Sequence, residues 1–271
     1  MTAEFVRGLW VVAYREWMRL FHDRARMTTS LLMPLLFFAV FGAGLNRTVV
    51  GIVPGVDFIR FLFPGIVAQT VFMTSVFSGL SVVWDREFGF LKELLVAPIA
   101  RAGIVGGKVI GGAGLALVQA LVILLLAPVV GVTMTPGILA RVIPLLILLS
   151  VSISSLGILI ATRMRSQQGF QMLMQLLILP MIVLSGAFFP INNVPDWLAI
   201  AARLNPFTYG VDAIRQALLS GSIEAGTAAG SAILGITVFG HRMTVWQDAL
   251  VVFGCGGVIL ALAVLAFGKQ E

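Results

Sequence analysis

The chain has 271 residues, 59% hydrophobic and 11% charged, with a mean hydropathy of +1.04. That is too little polar surface to clothe a soluble core of this size. The net charge of +6 comes without a basic patch interleaved with aromatics, which argues against nucleic acid and for the basic flanks of a membrane protein. One cysteine, Cys255, and two histidines, His22 and His241, leave no disulfide framework, no thiolate metal site and little basis for metal catalysis.

Residues 5–26 suit a helix lying on a membrane. At 3.6 residues per turn, Val6, Leu9, Trp10, Ala13, Trp17, Leu20 and Phe21 fall on one arc, and Arg15, Arg19, His22 and Arg26 on the opposite one. Such a split describes an interfacial helix at an anionic leaflet, either a simple anchor or a surface that also touches a cytoplasmic partner. The stretch does not read as a cleavable signal, so the first span is expected to be retained. A spanning helix needs about 20 mostly apolar residues, and six such stretches follow: about 29–45, 61–83, 109–130, 142–162, 171–189 and 249–267. Gly131 and the Thr133-Met134-Thr135-Pro136-Gly137 run end the third.

Between the second and third spans lies a charged island, residues 84–108. Phe88, Leu91, Leu94 and Leu95 share a helical stripe flanked by Arg86, Glu87, Lys92 and Glu93, and Pro98 ends the helix. A short helix of this kind can fill a groove in another protein; a membrane-skimming loop is the plainer alternative. With the N-terminus inside, twelve Lys and Arg face the cytoplasm (Arg7, Arg15, Arg19, Arg24, Arg26, Arg86, Lys92, Arg101, Lys108, Arg163, Arg165, Lys269) and six face out. The positive-inside rule therefore favours both termini in the cytoplasm. No charged residue falls within these proposed cores, which weakens an ion-coupled secondary transporter or a channel as the alternative reading. Gln69, Gln119, Gln171 and Gln175 are read first as interhelical hydrogen bonders, with substrate contact as the alternative.

Outside, between spans five and six, Phe189-Pro190-Ile191-Asn192-Asn193-Val194-Pro195 leads into two short helical patterns separated by Asn205-Pro206. Asn205 can cap the second pattern with Pro206 in its first turn, and Asp212 and Arg215 are spaced to pair. These pieces are apolar enough to dip back into the membrane. Residues 221–247, rich in Gly and Ala, suit a loop or a partial hairpin. Gly103-Ile104-Val105-Gly106-Gly107-Lys108-Val109 lacks the spacing and the following Ser or Thr of a phosphate loop, so its glycines are expected to permit close helix packing instead. Leu184-Ser185-Gly186 lies at the end of a span, and Asn46-Arg47-Thr48, a glycosylation sequon, abuts the membrane. No Ser/His/Asp set, paired intramembrane carboxylates or HExxH motif is present, so enzymatic activity in the chain alone has little support.

Three segments carry a family likeness. Residues 86–99, followed by Arg101 and Gly107-Lys108, resemble a cytosolic "RE.G.LE.LL..P....R....K" stretch. Leu184-Ser185-Gly186-Ala187-Phe188-Phe189-Pro190 with Pro195 and Trp197 resembles the end of a fifth span, and Leu204-Asn205-Pro206-Phe207-Thr208-Tyr209 with Asp212, Ala213 and Arg215 resembles an external "LNP..Y..DA.R" segment. Together they resemble the integral-membrane subunits of type-2 ABC exporters, the antibiotic-resistance and polysaccharide or nodulation-factor export permeases. One departure is Phe90-Leu91-Lys92, where that family often has Thr-Leu-Glu.

The resemblance implies an all-α polytopic fold, with residues 1–271 forming a single transmembrane domain. Residues 1–27 would be a cytoplasmic interface helix carrying Trp10, Arg15, Trp17 and Arg19. Residues 84–108 would be a coupling segment in which Arg86, Glu87, Phe88, Gly89, Leu91, Lys92, Glu93, Leu94, Leu95, Pro98 and Arg101 meet the ATPase subunit. Residues 190–247 would be an external segment with re-entrant helices. Spans two and five would line the pathway, with Gln69, Gln171, Gln175, Phe188, Phe189, Pro190, Asn205, Pro206 and Tyr209 along it or at its outer gate. Partners would be two copies of an ABC ATPase, a second copy of the chain or a related permease, and membrane lipids. The chain itself would bind no cofactor; ATP and Mg would belong to the ATPase. The expected activity is export of an amphipathic drug, lipid or lipid-linked glycan across the inner membrane.

Overall fold

The computed structural model describes residues 2–22, 58–90, 100–191, 194–220, 234–238 and 241–268, together with helical residues 28, 31–32, 34–36 and 38–40. Helix α1 is Thr2–His22. Helix α2, Phe58–Val76, runs through a 3-10 turn at Phe77–Gly79 into α3, Leu80–Glu87. Then come α4, Arg101–Leu124, a second 3-10 turn at Ala127–Val130, α5, Pro136–Ala161, and α6, Gln167–Leu184. Two shorter helices, α7 (Asp196–Leu204) and α8 (Pro206–Leu219), precede a two-residue antiparallel hairpin of β1 (Thr237–Val238) and β2 (His241–Arg242). Helix α9, Val245–Gly268, completes the order.

Five of these stretches are long and apolar enough to cross a membrane: Phe58–Glu87, Arg101–Leu124, Pro136–Ala161, Gln167–Leu184 and Val245–Gly268. They correspond to expected spans two to six, and most of the expected first span, 29–45, lies outside the described residues. Their limits differ from the sequence reading in one consequential way. The third span begins at Arg101, after an extended Ala100, and the sixth begins at Val245. The helices of these spans therefore also carry Asp85, Lys108 and Asp248, just beyond the expected cores 61–83, 109–130 and 249–267. These three side chains are buried against protein, where partners offset the cost of leaving water.

Local signals explain the helix starts. Thr135 caps α5, its hydroxyl accepting from Ile138 N at 3.3 Å with Pro136 in the first turn. Ser166 caps α6 by accepting from Gly169 N at 3.2 Å. Asn205 caps α8 as expected, accepting from Phe207 N at 3.1 Å with Pro206 in the first turn. The third span closes in the 3-10 turn at Ala127–Val130, followed by Gly131 at φ +76°. Pro64, Pro144 and Pro180 sit inside α2, α5 and α6. Membrane helices tolerate this where neighbouring helices satisfy the freed carbonyls.

The bundle closes on small residues. A Cβ added to Gly79 would strike the carbonyl of Gly157, and one added to Gly157 would strike the carbonyl of Val76. Helix α5 and the 3-10 turn after α2 thus touch backbone to backbone, as small residues allow in lipid, where packing replaces hydrophobic drive. Gly65 meets the Ala187 carbonyl and Gly256 meets the Ser152 side chain in the same manner. Thr74 donates to Gln119 across α2 and α4, the interhelical role read for that glutamine. By contrast α6 buries only Phe170, Met174, Ile178 and Ile182, one line at helical spacing, and leaves its other faces exposed.

The two ends of the bundle gather different parts of the chain. Trp84, Arg86, Arg101, the turn at 162–167 and Gly268 meet at one end, called inner below. The turn at 185–187, α8 and the first turn of α2 meet at the outer end.

Replacing Gly157 with Leu is expected to lower stability by about 3 kcal/mol, the upper range for overpacking, because both neighbours are backbone. Gly254, whose Cβ would meet nothing within 4 Å, provides the contrast. Gly254→Ala should leave stability unchanged or raise it by up to about 1 kcal/mol. Denaturation midpoints in detergent check both; equal losses in the two variants would contradict the close approach.

Candidate functional site

Helix α1 lies along a glycine stripe of α4. Added Cβ atoms would meet the Phe5 carbonyl from Gly103 at 2.8 Å, Leu9 from Gly106 at 3.4 Å, Val12 from Gly107 at 2.7 Å, Glu16 from Gly111 at 2.6 Å and Trp17 from Gly114 at 2.5 Å. Positions rise together along both helices, so the two run in the same direction. The glycines do allow close packing here, as their sequence suggested. The buried face of α1 is Gly8, Val12, Ala13 and Glu16, whereas Val6, Trp10, Tyr14, Trp17 and Met18 are exposed. The expected arc is thereby split: Ala13 turns into the protein and Trp10 away from it, while Trp17 is partly exposed with its ring lying over Gly114.

At the level of Gly111 the packing encloses a cluster of four charges. Lys108 Nζ, with no side-chain exposure, lies 2.5 Å from Asp85 Oδ2 and 3.3 Å from Glu16 Oε1, and donates to Ser81 Oγ at 3.1 Å. Arg15 Nη2 reaches both Asp85 oxygens at 2.8 Å. Two cations and two anions from α1, α3 and α4 therefore neutralise one another. Arg15, on the basic arc of the helix, thus finds a buried partner in Asp85. Arg19, although exposed, lies with its guanidinium 4.7 Å from the Trp84 ring centre, and Arg15 lies 5.4 Å from that of Phe90.

The same cluster aims the end of α3. Trp84 Nε1 donates to Gln167 Oε1 at 2.7 Å, and Arg86 donates to the carbonyls of Met164 at 2.5 Å and Thr162 at 3.1 Å. Arg86 is thus turned inward. Glu87, Phe88 and Gly89 are exposed, Phe88 by 75% and Gly89 at φ +80°. Arg101 is exposed and donates to the Gly268 carbonyl. Leu91, Lys92, Glu93, Leu94, Leu95 and Pro98 lie outside the described residues.

At the outer end, α8 is buried along nearly its whole length and threads between α2, α5 and α9. It is a packed element of the bundle rather than a loose surface loop. Asn205 Nδ2 donates to the Met181 carbonyl at 2.7 Å, and Tyr209 donates to the Arg203 carbonyl at 2.8 Å. Pro190 is buried, and Phe188, Phe189 and Pro206 are half-buried. Gln69 is buried in α2 with Oε1 unpartnered among the described residues. Gln171 and Gln175 are exposed in the inner half of α6, so they are not gathered with the outer-gate residues.

Asp212 and Arg215 form no direct ion pair. Asp212 accepts from Gly235 N at 3.2 Å, Ile236 N at 2.9 Å and Gln216 Nε2 at 2.9 Å. Arg215 donates to the Gly186 carbonyl at 2.7 Å and lies 4.3 Å from the Phe61 ring centre. Burial raises the Asp212 pKa, opposed by the charge of Arg215, and burial lowers that of Arg215 to about 10, opposed by Asp212. Gln216 also donates to Asp248 Oδ2 at 3.0 Å, tying α8 to α9.

Sequence reasoning did not find the Lys108 cluster. A signal was present: Lys108 follows Arg101 by two helical turns on a glycine-lined helix, and Ser81 and Asp85 share a face at i, i+4. Lys108→Met is expected to cost about 3 kcal/mol, the loss typical of breaking one side of a buried ion pair. Arg15→Gln, at a side chain 34% exposed, should cost less. Denaturation midpoints in detergent check the order, and a more damaging Arg15 variant would reverse the assignment of Lys108 as the centre.

Comparison with known proteins agrees with this architecture. Residues 7–219 match the model of the ABC-2 type transporter family. A transport permease named ycf38 from Cyanophora paradoxa is 31% identical over 78% of this chain and 74% of its own length. Nodulation protein J of Rhizobium meliloti (strain 1021) is 28% identical over 78% of this chain and 80% of its own. A protein named as a multidrug ABC transporter permease, YbhR of Escherichia coli (strain K12), is 29% identical over 61% of this chain and 45% of its own. The chain belongs to the ABC-2 type transporter family: it is a membrane-integral permease subunit, not itself an enzyme, that works with an ABC ATPase subunit.

Proposed function

We propose that the chain forms half of an ATP-driven exporter and moves an amphipathic substrate (a drug, a lipid or a lipid-linked glycan) out across the inner membrane. Two copies, or one copy and a related permease, supply the pathway. Two ATPase subunits, which bind the ATP and Mg, dock on segment 86–98 from the cytoplasm, where both termini lie. The likeness to a relative named for multidrug transport supports a drug among these substrates.

One observation supports the docking surface above others. Glu87, Phe88 and Gly89 are exposed at the inner end, while Arg86 just before them is held by backbone carbonyls. An exposed aromatic next to an acid, on a stem fixed by buried bonds, is a preorganised anchor for a partner groove. Closure of the ATPase pair would press on this anchor and rock the two bundles, opening the outer mouth where Phe188, Phe189, Pro190, Asn205, Pro206 and Tyr209 sit. Gln69, Gln171 and Gln175 supply polar points along α2 and α6.

The test is co-purification of the tagged chain with its co-expressed ATPase in nanodiscs, with mass determination and an ATPase assay. The expected result is a complex of two permeases and two ATPases that hydrolyses ATP. Phe88→Ala should weaken ATPase retention by about 10- to 30-fold, as for truncation of an aromatic anchor, and Glu87→Lys should uncouple hydrolysis from transport. Wild-type retention of Phe88→Ala together with wild-type coupling in Glu87→Lys would remove residues 87–88 from the docking surface.

A further inference from the structure

We propose that Lys108 is a positioning residue for coupling: it fastens α1, the end of α3 and the start of α4 into one rigid unit. The inference rests on the docking reading above and assigns it a mechanical part. Lys108 Nζ has no side-chain exposure and touches Asp85, Glu16 and Ser81 at 2.5, 3.3 and 3.1 Å. Asp85 stands two residues before the exposed Glu87, and Arg101, seven residues before Lys108, opens the helix on the far side of segment 91–99. Both stems of that segment are therefore tied to one ammonium group. Helix α1 is tied to the same point through Glu16, and through Arg15 on Asp85.

Stability alone is a weak reason for such a cluster. Well-packed apolar residues often replace a buried ion group at no cost, and a demonstrated use of buried charge is to fix register. Register matters here because the glycine stripe of α4 is nearly featureless. Gly103, Gly107 and Gly111 face α1 without side chains of their own, and Lys108 supplies the charged contact that marks one position along it. A displacement at residues 87–89 then reaches α1 and α4 together, instead of being absorbed between them.

The experiment places spin-label pairs in a Cys255→Ser background of the full permease–ATPase complex in nanodiscs. One pair, at Tyr14 and Ile110, spans α1 and α4 and uses exposed positions outside the cluster. A second, at Val129 and Trp197, reports the outer end. Distances are compared between the nucleotide-free and vanadate-trapped complexes. In the wild type the Tyr14–Ile110 distribution should stay narrow and unmoved while the Val129–Trp197 distance shifts. Lys108→Met should broaden the first and abolish the shift in the second although ATP is still hydrolysed, and Lys108→Arg should restore both. A Lys108→Met complex that keeps the narrow Tyr14–Ile110 distribution, or keeps the outer shift, overturns the proposal. So does a wild-type Tyr14–Ile110 distance that moves on trapping. If no wild-type complex retains the ATPase, the docking reading fails. The narrow or broad state of Tyr14–Ile110 in the permease alone then still decides whether Lys108 fastens α1.

Discussion

One ammonium group with no access to water governs how the inner half of this bundle is built. An unpaired Lys108 would be costly to bury, so α1 must bring Glu16 and α3 must bring Asp85 to within hydrogen-bonding distance. That requirement explains why α4 has lost its side chains on one face. Gly103, Gly107 and Gly111 let the backbone of α1 approach closely enough for Glu16 to reach Nζ. It also fixes where α1 stops along α4, since a slide of one turn, about 5.4 Å, would carry Glu16 out of reach. Once Asp85 is placed, the last turn of α3 is oriented, and Trp84 and Arg86 find the turn between α5 and α6.

The outer end is organised on a different principle. There a single short helix, α8, is inserted into the bundle and satisfied mostly by carbonyl oxygens. Arg215 bonds the Gly186 carbonyl, Asn205 the Met181 carbonyl, and Thr208 lies 3.4 Å from the Leu184 carbonyl. These bonds hold a sharp turn after α6, with Gly186 at φ +72°, where only glycine is comfortable. The inner end uses charge between helices from distant parts of the chain; the outer end rests largely on backbone carbonyls at 181–187, with Gln216 tying α8 to Asp248.

How much of this was legible follows from distance along the chain. Helical repeat and span length revealed spans two to six, and the Asn205-Pro206 cap was readable because its partners are two residues apart. The glycines of α4 could be read as a packing face, though not which helix they receive. The cluster escaped because Lys108 bonds Asp85 and Glu16 across separations of 23 and 92 residues. Charges near span ends read as interfacial by default. The same default reads Arg15 only as part of the basic arc and Asp212 as spaced to pair with Arg215. In each case the competing partner, Asp85 or the backbone at 235–236, lay far along the chain and carried no periodic signal. The break at Phe77–Gly79 was equally silent, since its cause is the carbonyl of Gly157 on another helix.

The 92-residue gap between Glu16 and Lys108 also has a temporal side. At about 5–20 residues added per second, Glu16 is synthesised roughly 5–20 s before its anchoring lysine exists. For most of that interval Glu16 and Arg15 lack their eventual partners, because Asp85 too is synthesised late. The exposed row of Trp10, Tyr14, Trp17 and Met18 is what the newborn helix can offer to a bilayer surface meanwhile. A helix built to wait on lipid with one side and to dock on glycine with the other satisfies both stages of its own biogenesis.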